Sequence, residues 1–522
     1  MSATDVDRPT VTAPNGAERP RDAVATIWDR MPASIRDGDD YLASLYDRGT
    51  SLYLFGERIA EPADHPMIRP SINALRETYD LAVRDPELAT AWSPYIEDRV
   101  NRFLHIVEGP EDLVAKAKMQ RALGQNTGTC FQRCTGLDAI STLHSLTYDI
   151  DAAHGTPYHE RYLAFLREAQ RRNVLIAAGM TDPKGDRSKP PHEQADPDLF
   201  LHISGRTEDG IFLRGAKAHM TGGWNMHWIA VLPTMNLREG DRDFAVCAMV
   251  PGDAEGITYI YGRQASDTRS MEPGTLDQGN ARFGGQEVLV HFDDVFVPYE
   301  HVLMDGEHEF AQSLVTRFTS YHRASYVCKT GLGDVMVGAA AQIADDNGVP
   351  NVSHIKDKLV EMTHLNETIY SSAIASAHEA TSLPSGIAIN DEMLANVAKH
   401  NVTRFPYEIA RLAQDLAGGI VVTMPSEADF RSEEVGPLIE KLLAGRSEVP
   451  TEDRMRILRL IENLTLGRNA VGYLTESLHG AGSPQAQRIQ IARGMDVETK
   501  KAFARALAGV VRDGVDEPEV EG

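Results

Sequence analysis

The sequence predicts an α+β protein in three successive parts: an N-terminal helical domain over residues 26–170, a middle antiparallel β domain over 171–304 and a C-terminal helical bundle over 305–512. Three observations carry this. Apolar residues recur at three and four from Asp40 to about Phe165, as in DDYLASLYDRGTSLYLFGERI and RPSINALRETYDLAV. Between Leu199 and Val302 the texture changes to short β-branched or aromatic runs separated by Gly, Asp or Pro, such as HWIAVLPTM, FAVCAMVP and EVLVHFDDVFVP. From about His308 the helical period returns, with Ile355, Leu359, Met362 and Ile369 on one stripe of a long helix.

The ends carry no such period. Residues 1–25 are rich in Pro, Asp, Thr and Ala and read as a mobile tail, and the acidic stretch 513–522 reads the same way. The 522 residues are 42% hydrophobic, an ordinary globular composition with room for a large core. No apolar run approaches the roughly 20 residues that cross a bilayer, so no membrane partner is expected. The N-terminus has no apolar signal-like region, and a cytoplasmic location is expected. A net charge of −24 argues against nucleic acid and anionic lipid as partners.

Four cysteines in such a chain make no disulfide framework. Two of them, Cys130 and Cys134, fall within TGTCFQRCTG, spaced to share one face of a helical turn. Such a pair is either two small buried residues or two ligands of one metal or cluster. The segment TSYHRASYVCKTGLGD, residues 319–334, offers two more soft ligands, His322 and Cys328, beside Tyr326 and Lys329. Three thiolates and an imidazole suit zinc or an iron–sulfur cluster. Six residues turn a regular helix through about 600°, so His322 and Cys328 can serve one centre only if the helix is distorted between them. Cys247, within an apolar strand, reads as a core thiol.

Two further strings are rich in turns. MTDPKGDR comprises Met180, Thr181, Asp182, Pro183, Lys184, Gly185, Asp186 and Arg187. It is either a solvated loop or one that holds a polar cofactor through backbone N–H groups and Arg187. HGAGSP carries Gly480, Ala481, Gly482, Ser483 and Pro484 after a helix, where small residues let backbone approach a ligand. Glu287, ending FGGQE, and Glu476, in YLTESLHG, are carboxylates among apolar neighbours and candidate acid/base groups.

Together with YLFGERI, DHPMIRPSIN and GAKAHMTG, these strings resemble the 4-hydroxybutyryl-CoA dehydratase family, within the wider group of flavin-dependent 4-hydroxyphenylacetate 3-monooxygenases. The resemblance runs from about Tyr41 to about Arg493 in unbroken order. It implies an acyl-CoA dehydrogenase-like fold ending in a four-helix bundle, a homotetramer, and FAD held between subunits. It implies a [4Fe–4S] cluster on Cys130, Cys134, His322 and Cys328. Flavin contacts are implied at 180–187, at His219, Met220 and Thr221, and at 480–484. Tyr326 and Lys329 match positions near flavin and substrate, Glu287 and Glu476 match active-site carboxylates, and Thr221 is placed with the catalytic set. The implied reaction is radical dehydration of 4-hydroxybutyryl-CoA to crotonyl-CoA, with vinylacetyl-CoA isomerisation, His322 or Glu476 being the base. The alternative is a two-component monooxygenase acting on a phenol with reduced FAD from a flavin reductase, a branch without these cysteines. The chain departs from the family in a shorter Tyr326-to-Cys328 spacing and in residues 262–280, which could reshape a substrate entrance.

Overall fold

The computed structural model describes residues 10–21, 24–263 and 267–510; the acidic stretch 513–522 and the first nine residues lie outside them. The N-terminal part is built on helices α1 (Arg69–Arg84), α2 (Pro110–Thr127), α3 (Cys134–His154) and α4 (Tyr158–Arg172). Helix α2 starts with a proline and two acidic residues, suited to its free N–H groups and positive dipole end, and stops at Gly128, whose φ of 57° is left-handed.

Two stretches depart from the expected pattern. In DDYLASLYDRGTSLYLFGERI only Gly38–Ala43 is helical; Ser51–Leu54 and Glu57–Arg58 are strands, turned at Gly56 with φ of 84°. The strand Ser51–Leu54 pairs in parallel with Ile257–Tyr261, so this N-terminal segment completes the middle sheet. Residues 10–20, expected within a mobile tail, form a two-stranded hairpin. Arg19 pins it by donating to the carbonyls of Asp293 and Asp294 at 2.7 and 3.1 Å. Charged side chains here dock the chain where apolar periodicity is absent.

The middle part is two sheets. The six-stranded one runs in the order Glu57–Arg58, Ser51–Leu54, Ile257–Tyr261, Glu287–Pro298, Gly210–Thr221, His202–Arg206. The four-stranded one runs Val302–Asp305, Val246–Pro251, Trp228–Val231, Ile176–Gly179. Pairing is antiparallel except where Ser51–Leu54 and Ile176–Gly179 join. Cys247 sits in the second sheet, fully buried in the core it shares with α3 and α4.

Helices α5 (Ala311–Ser325), α6 (Cys328–Asp346), α7 (Ser353–His378), α8 (Glu392–Val402), α9 (Phe405–Ala417) and α10 (Thr451–Thr465) form the C-terminal part. Helices α6, α7, α9 and α10 pack as a four-helix bundle around Met336, Met362, Ile409 and Leu458, all fully buried. Each such side chain contributes about 1.5–3 kcal/mol by leaving water. Helix α2 crosses α6 closely: a Cβ on Gly331 would lie 2.1 Å from the Arg121 carbonyl oxygen, and one on Gly124 would lie 2.5 Å from that of Cys328. These glycines bring the first residue of α6 down onto the N-terminal domain. No helix among the described residues is long and apolar enough to cross a membrane.

Candidate active site

Cys130 and Cys134 do not share a helical turn. Residues 128–133 are a non-helical link between α2 and α3, with Gln132 at φ of 63°, and Cys134 is the first residue of α3. Gly128 ends one helix before the pair can share it. The link is held in place by Gln132, which donates to the carbonyls of Ser71 and Gly284 at 3.0 and 3.4 Å, and by Thr129, which donates to Asn469 at 2.7 Å. The helix carrying His322 is interrupted as well: α5 ends at Ser325 and α6 begins at Cys328.

These breaks bring three thiols together. The Cys134 thiol bonds the Cys328 sulfur, which holds Cys328 below the usual thiol range, while burial pushes Cys134 well up. Cys130 interacts electrostatically with both and donates to Glu476 Oε1 at 3.5 Å; burial and that carboxylate push its thiol up. Glycines leave room beside it. A Cβ on Gly472 would meet the Cys130 Cβ at 3.4 Å, and one on Gly285 would meet it at 3.8 Å.

His322 meets Asp138, a buried carboxylate four residues after Cys134. Its Nδ1 lies 2.7 Å from Asp138 Oδ2. Asp138 also accepts from Lys116 Nζ at 2.5 Å and Ser325 at 3.1 Å. Burial opposes its charge, but Lys116 and His322 outweigh burial and hold it below the usual carboxylate range. An ionised carboxylate only accepts, so His322 carries its proton on Nδ1, and in the neutral ring Nε2 keeps a lone pair. No group of three or more His, Cys, Asp or Glu among the described residues is gathered tightly enough to hold a single metal ion.

Two carboxylates face this cluster. Glu287, at the start of its strand, accepts from Thr221 Oγ1 at 2.8 Å; burial and then the like charge of Glu476 push its carboxyl well up. Glu476 follows a π-helical turn, Val471–Thr475, a local bulge of the kind found at functional sites. Its Oε2 lies 3.4 Å from Lys329 Nζ. Lys329 is only 1% exposed; burial opposes its charge, but Glu476, Cys328 and Cys130 outweigh burial and raise it. Tyr326 donates to the Glu476 carbonyl at 3.4 Å.

The turn-rich strings flank this centre. Lys184, His219 and His479 are electrostatic neighbours, so the 180–187 loop, the end of the Gly210–Thr221 strand and the helix before Gly480 approach one another. Lys184, Gly185, Asp186 and Arg187 are exposed, whereas Asp182 is buried and occupied by Lys217 Nζ at 2.6 Å and Thr234 at 2.5 Å. Met220 is core, packed against Gly179 and Gly223. His219 and Ala481 both hold left-handed backbone, at φ of 52° and 55°, a strain typical of functional segments. Gly480 cannot be replaced freely, since a Cβ there would lie 1.5 Å from Tyr326 Oη. Gly480→Ala is expected to displace Tyr326 at a cost of about 1–3 kcal/mol, visible as a lowered thermal midpoint; an unchanged midpoint would refute the contact.

Residues 267–283 strap the middle part to the bundle rather than hanging free. Leu276 is buried in the bundle core, and Arg269 pairs with Asp267 and Glu462 at 3.0 and 2.9 Å. A cavity of about 690 Å³ lies apart from the site, between the N-terminal hairpin and the middle sheet near Arg19, Arg48 and Phe296.

Asp138, Lys116, Arg323 and Lys399 were not legible in the sequence. Asp138 had one signal, the single acid in the helical stretch LDAISTLHSL. Lys399 had none. It is fully buried, and burial with the like charges of Lys329 and Arg323 brings its ammonium down to about 7.

Residues 37–304 match the model of the 4-hydroxyphenylacetate 3-hydroxylase N-terminal domain, and 311–509 that of its C-terminal domain. A Clostridium aminobutyricum protein named 4-hydroxybutyryl-CoA dehydratase/vinylacetyl-CoA-Delta-isomerase is 51% identical, over 90% of this chain and 99% of that one. The oxygenase component of 4-hydroxyphenylacetate 3-monooxygenase from Geobacillus sp. (strain PA-9) is 23% identical over 91% of this chain and 96% of its own. Among solved structures, an oxygen-tolerant archaeal 4-hydroxybutyryl-CoA dehydratase from N. maritimus superposes with a TM-score of 0.91 at 63% identity, covering 94% of this chain and 98% of that one. The FAD complex of a 4-hydroxyphenylacetate 3-monooxygenase oxygenase component superposes at 0.80 with 22% identity, over 91% of this chain and 98% of that one, a likeness of fold.

Proposed function

The chain belongs to the 4-hydroxyphenylacetate 3-hydroxylase family, and on that premise we propose that it is a hydro-lyase that dehydrates 4-hydroxybutyryl-CoA to crotonyl-CoA and isomerises vinylacetyl-CoA to the same product, with FAD and a [4Fe–4S] cluster. The observation that supports this reading best is the convergence of Cys130, Cys134 and Cys328 beside Glu476 and Lys329.

The donor set fits the cluster. Three thiols and a histidine whose Nε2 lone pair is left by the Asp138 bond are the required ligand types, and Gly285 and Gly472 leave a cradle at Cys130. A cuboidal cluster spreads its ligands over several ångströms, so they need not meet at one point as for a single ion. The approach of Lys184, His219 and the Gly480–Pro484 turn suits a flavin. When bound, these groups would supply one-electron chemistry and a Lewis-acidic iron for the leaving hydroxyl.

The reaction removes protons from C2 and C3 of the acyl chain; one returns to C4 and the other leaves with the hydroxyl as water. Glu476, paired with Lys329, is the base for C2, because His322 Nδ1 is committed to Asp138 and its Nε2 lone pair would be spent on the cluster. Glu287, its carboxyl pushed well up by burial and steadied by Thr221, would hold the proton to be delivered. Lys329 would bind the thioester oxygen as negative charge develops on it. Assembly as a homotetramer fits the helix Val497–Leu507, which buries no residue and exposes Phe503 and Leu507. A reducing cytoplasm suits free cysteines.

Anaerobic purification followed by iron, sulfide and flavin analysis, EPR and assay on 4-hydroxybutyryl-CoA tests this. About four irons and four sulfides per chain beside one FAD, with crotonyl-CoA formed, is the expected result. Flavin without iron after cluster loading, with a phenol hydroxylated when a flavin reductase and oxygen are supplied, would sink it.

A further inference from the structure

We infer that Lys399 is a positioning residue of this site: from behind Tyr326 it ties the phenol ring to the backbone after Glu476, and so holds the Glu476 carboxylate against Lys329. Lys399 projects from α8 into a fully buried place. Its Nζ lies 4.4 Å from the Tyr326 ring centroid and donates to the Ser477 carbonyl at 2.5 Å. Lys329 Nζ lies 5.4 Å from the same ring, so two ammonium groups address one phenol.

The hold is closed on itself. Tyr326 Oη occupies the space a side chain at Gly480 would need and donates toward the Glu476 carbonyl. Tyr326 therefore cannot move without moving residues 476–480, and Lys399 touches both partners. The carbonyls of the short helix Glu476–His479 sit at its negative end, where a cation is favourable. Arg323 repeats the contact a few residues on: its Nε donates to the Ala481 carbonyl at 3.1 Å and its Nη1 to Asn396 at 2.7 Å, one turn before Lys399 on α8. Packing alone does not call for a lysine here, because a methionine would fill the space with no desolvation cost.

The test compares K399M, K399Q and K399R in the holoenzyme, with activity expressed per bound flavin. The substrate arm rests on the dehydratase reading; the flavin arm does not. K399M is expected to lower kcat on 4-hydroxybutyryl-CoA by on the order of 100-fold with KM within about three-fold, the scale of a misplaced catalytic group. FAD loss on dilution is expected to quicken by roughly ten-fold, because the Gly480–Pro484 turn loses its tie. K399R is expected to recover most of both. K399Q keeps a donor without the charge and carries the test if K399M does not fold. Values of kcat and FAD loss within about two-fold of wild type in K399M or K399Q overturn the inference. A loss that K399R does not recover and that tracks a lowered thermal midpoint overturns it too. If wild type binds FAD but leaves 4-hydroxybutyryl-CoA untouched, the dehydratase reading fails, and the FAD arm still decides the role of Lys399.

Discussion

Replacing Cys130 or Cys328 with serine is expected to abolish iron binding and dehydratase activity while FAD stays bound. Serine keeps the shape but offers a hard, protonated oxygen where a cluster needs a thiolate. Activity is expected to fall by at least about 100-fold, and iron with it. Cys247→Ala is the control: this thiol is buried in the four-stranded sheet, in the same core as Cys134 and Cys328, but its electrostatic neighbours are Glu307 and Lys217 rather than the other thiols, so iron content is expected to stay at the wild-type level. Iron retained at full level in both serine variants would show that these cysteines are not ligands. The cysteines were singled out by type and spacing, but their shared position depends on two helix breaks, at 128–133 and at 326–327.

Glu476→Gln is expected to lower kcat by about 10²- to 10⁴-fold, the usual contribution of a positioned acid or base. The substitution also strips Lys329 of its carboxylate and leaves a buried cation unpaired, so the thermal midpoint is expected to fall. The double variant E476Q/K329M removes both charges and isolates the stability effect, Lys329 being itself one of the groups proposed to meet the substrate. The midpoint is expected to recover while activity stays lost. If activity recovers with the midpoint, Glu476 serves stability and another group is the base. Glu287→Gln is the informative contrast: burial and the like charge of Glu476 push its carboxyl well up, and glutamine keeps the Thr221 contact but cannot transfer a proton.

Local sequence specifies structure unevenly along this chain, for physical reasons. Helices such as α7 were legible because a long apolar stripe needs a partner surface. The strands from His202 to Pro298 were legible because turns punctuate β-branched runs. Residues 51–58 misled because their apolar spacing suits a helix, yet a parallel neighbour at Ile257–Tyr261 offers the backbone a ladder instead. Residues 10–20 misled because their docking rests on Arg19 and carboxylates, which leave no apolar period. Asp182 looked like a loop residue awaiting a ligand, and only packing shows it committed to Lys217 and Thr234.

By itself the sequence determined the order of helical, β and helical parts and the family, and it singled out the thiols, histidine and carboxylates proposed for the chemistry. Those follow from local periodicity and residue type, which any short window contains. The tertiary structure alone decided that Cys130 lies in a break and Cys134 begins the helix after it, that His322 spends Nδ1 on Asp138, that Glu476 meets Lys329 and that Lys399 stands behind Tyr326. Such contacts join segments far apart in the chain. They exist because α2 lies tightly on α6 at Gly124 and Gly331, and because a π-helical turn aims Glu476 inward; no local pattern specifies where two distant segments will be buried together.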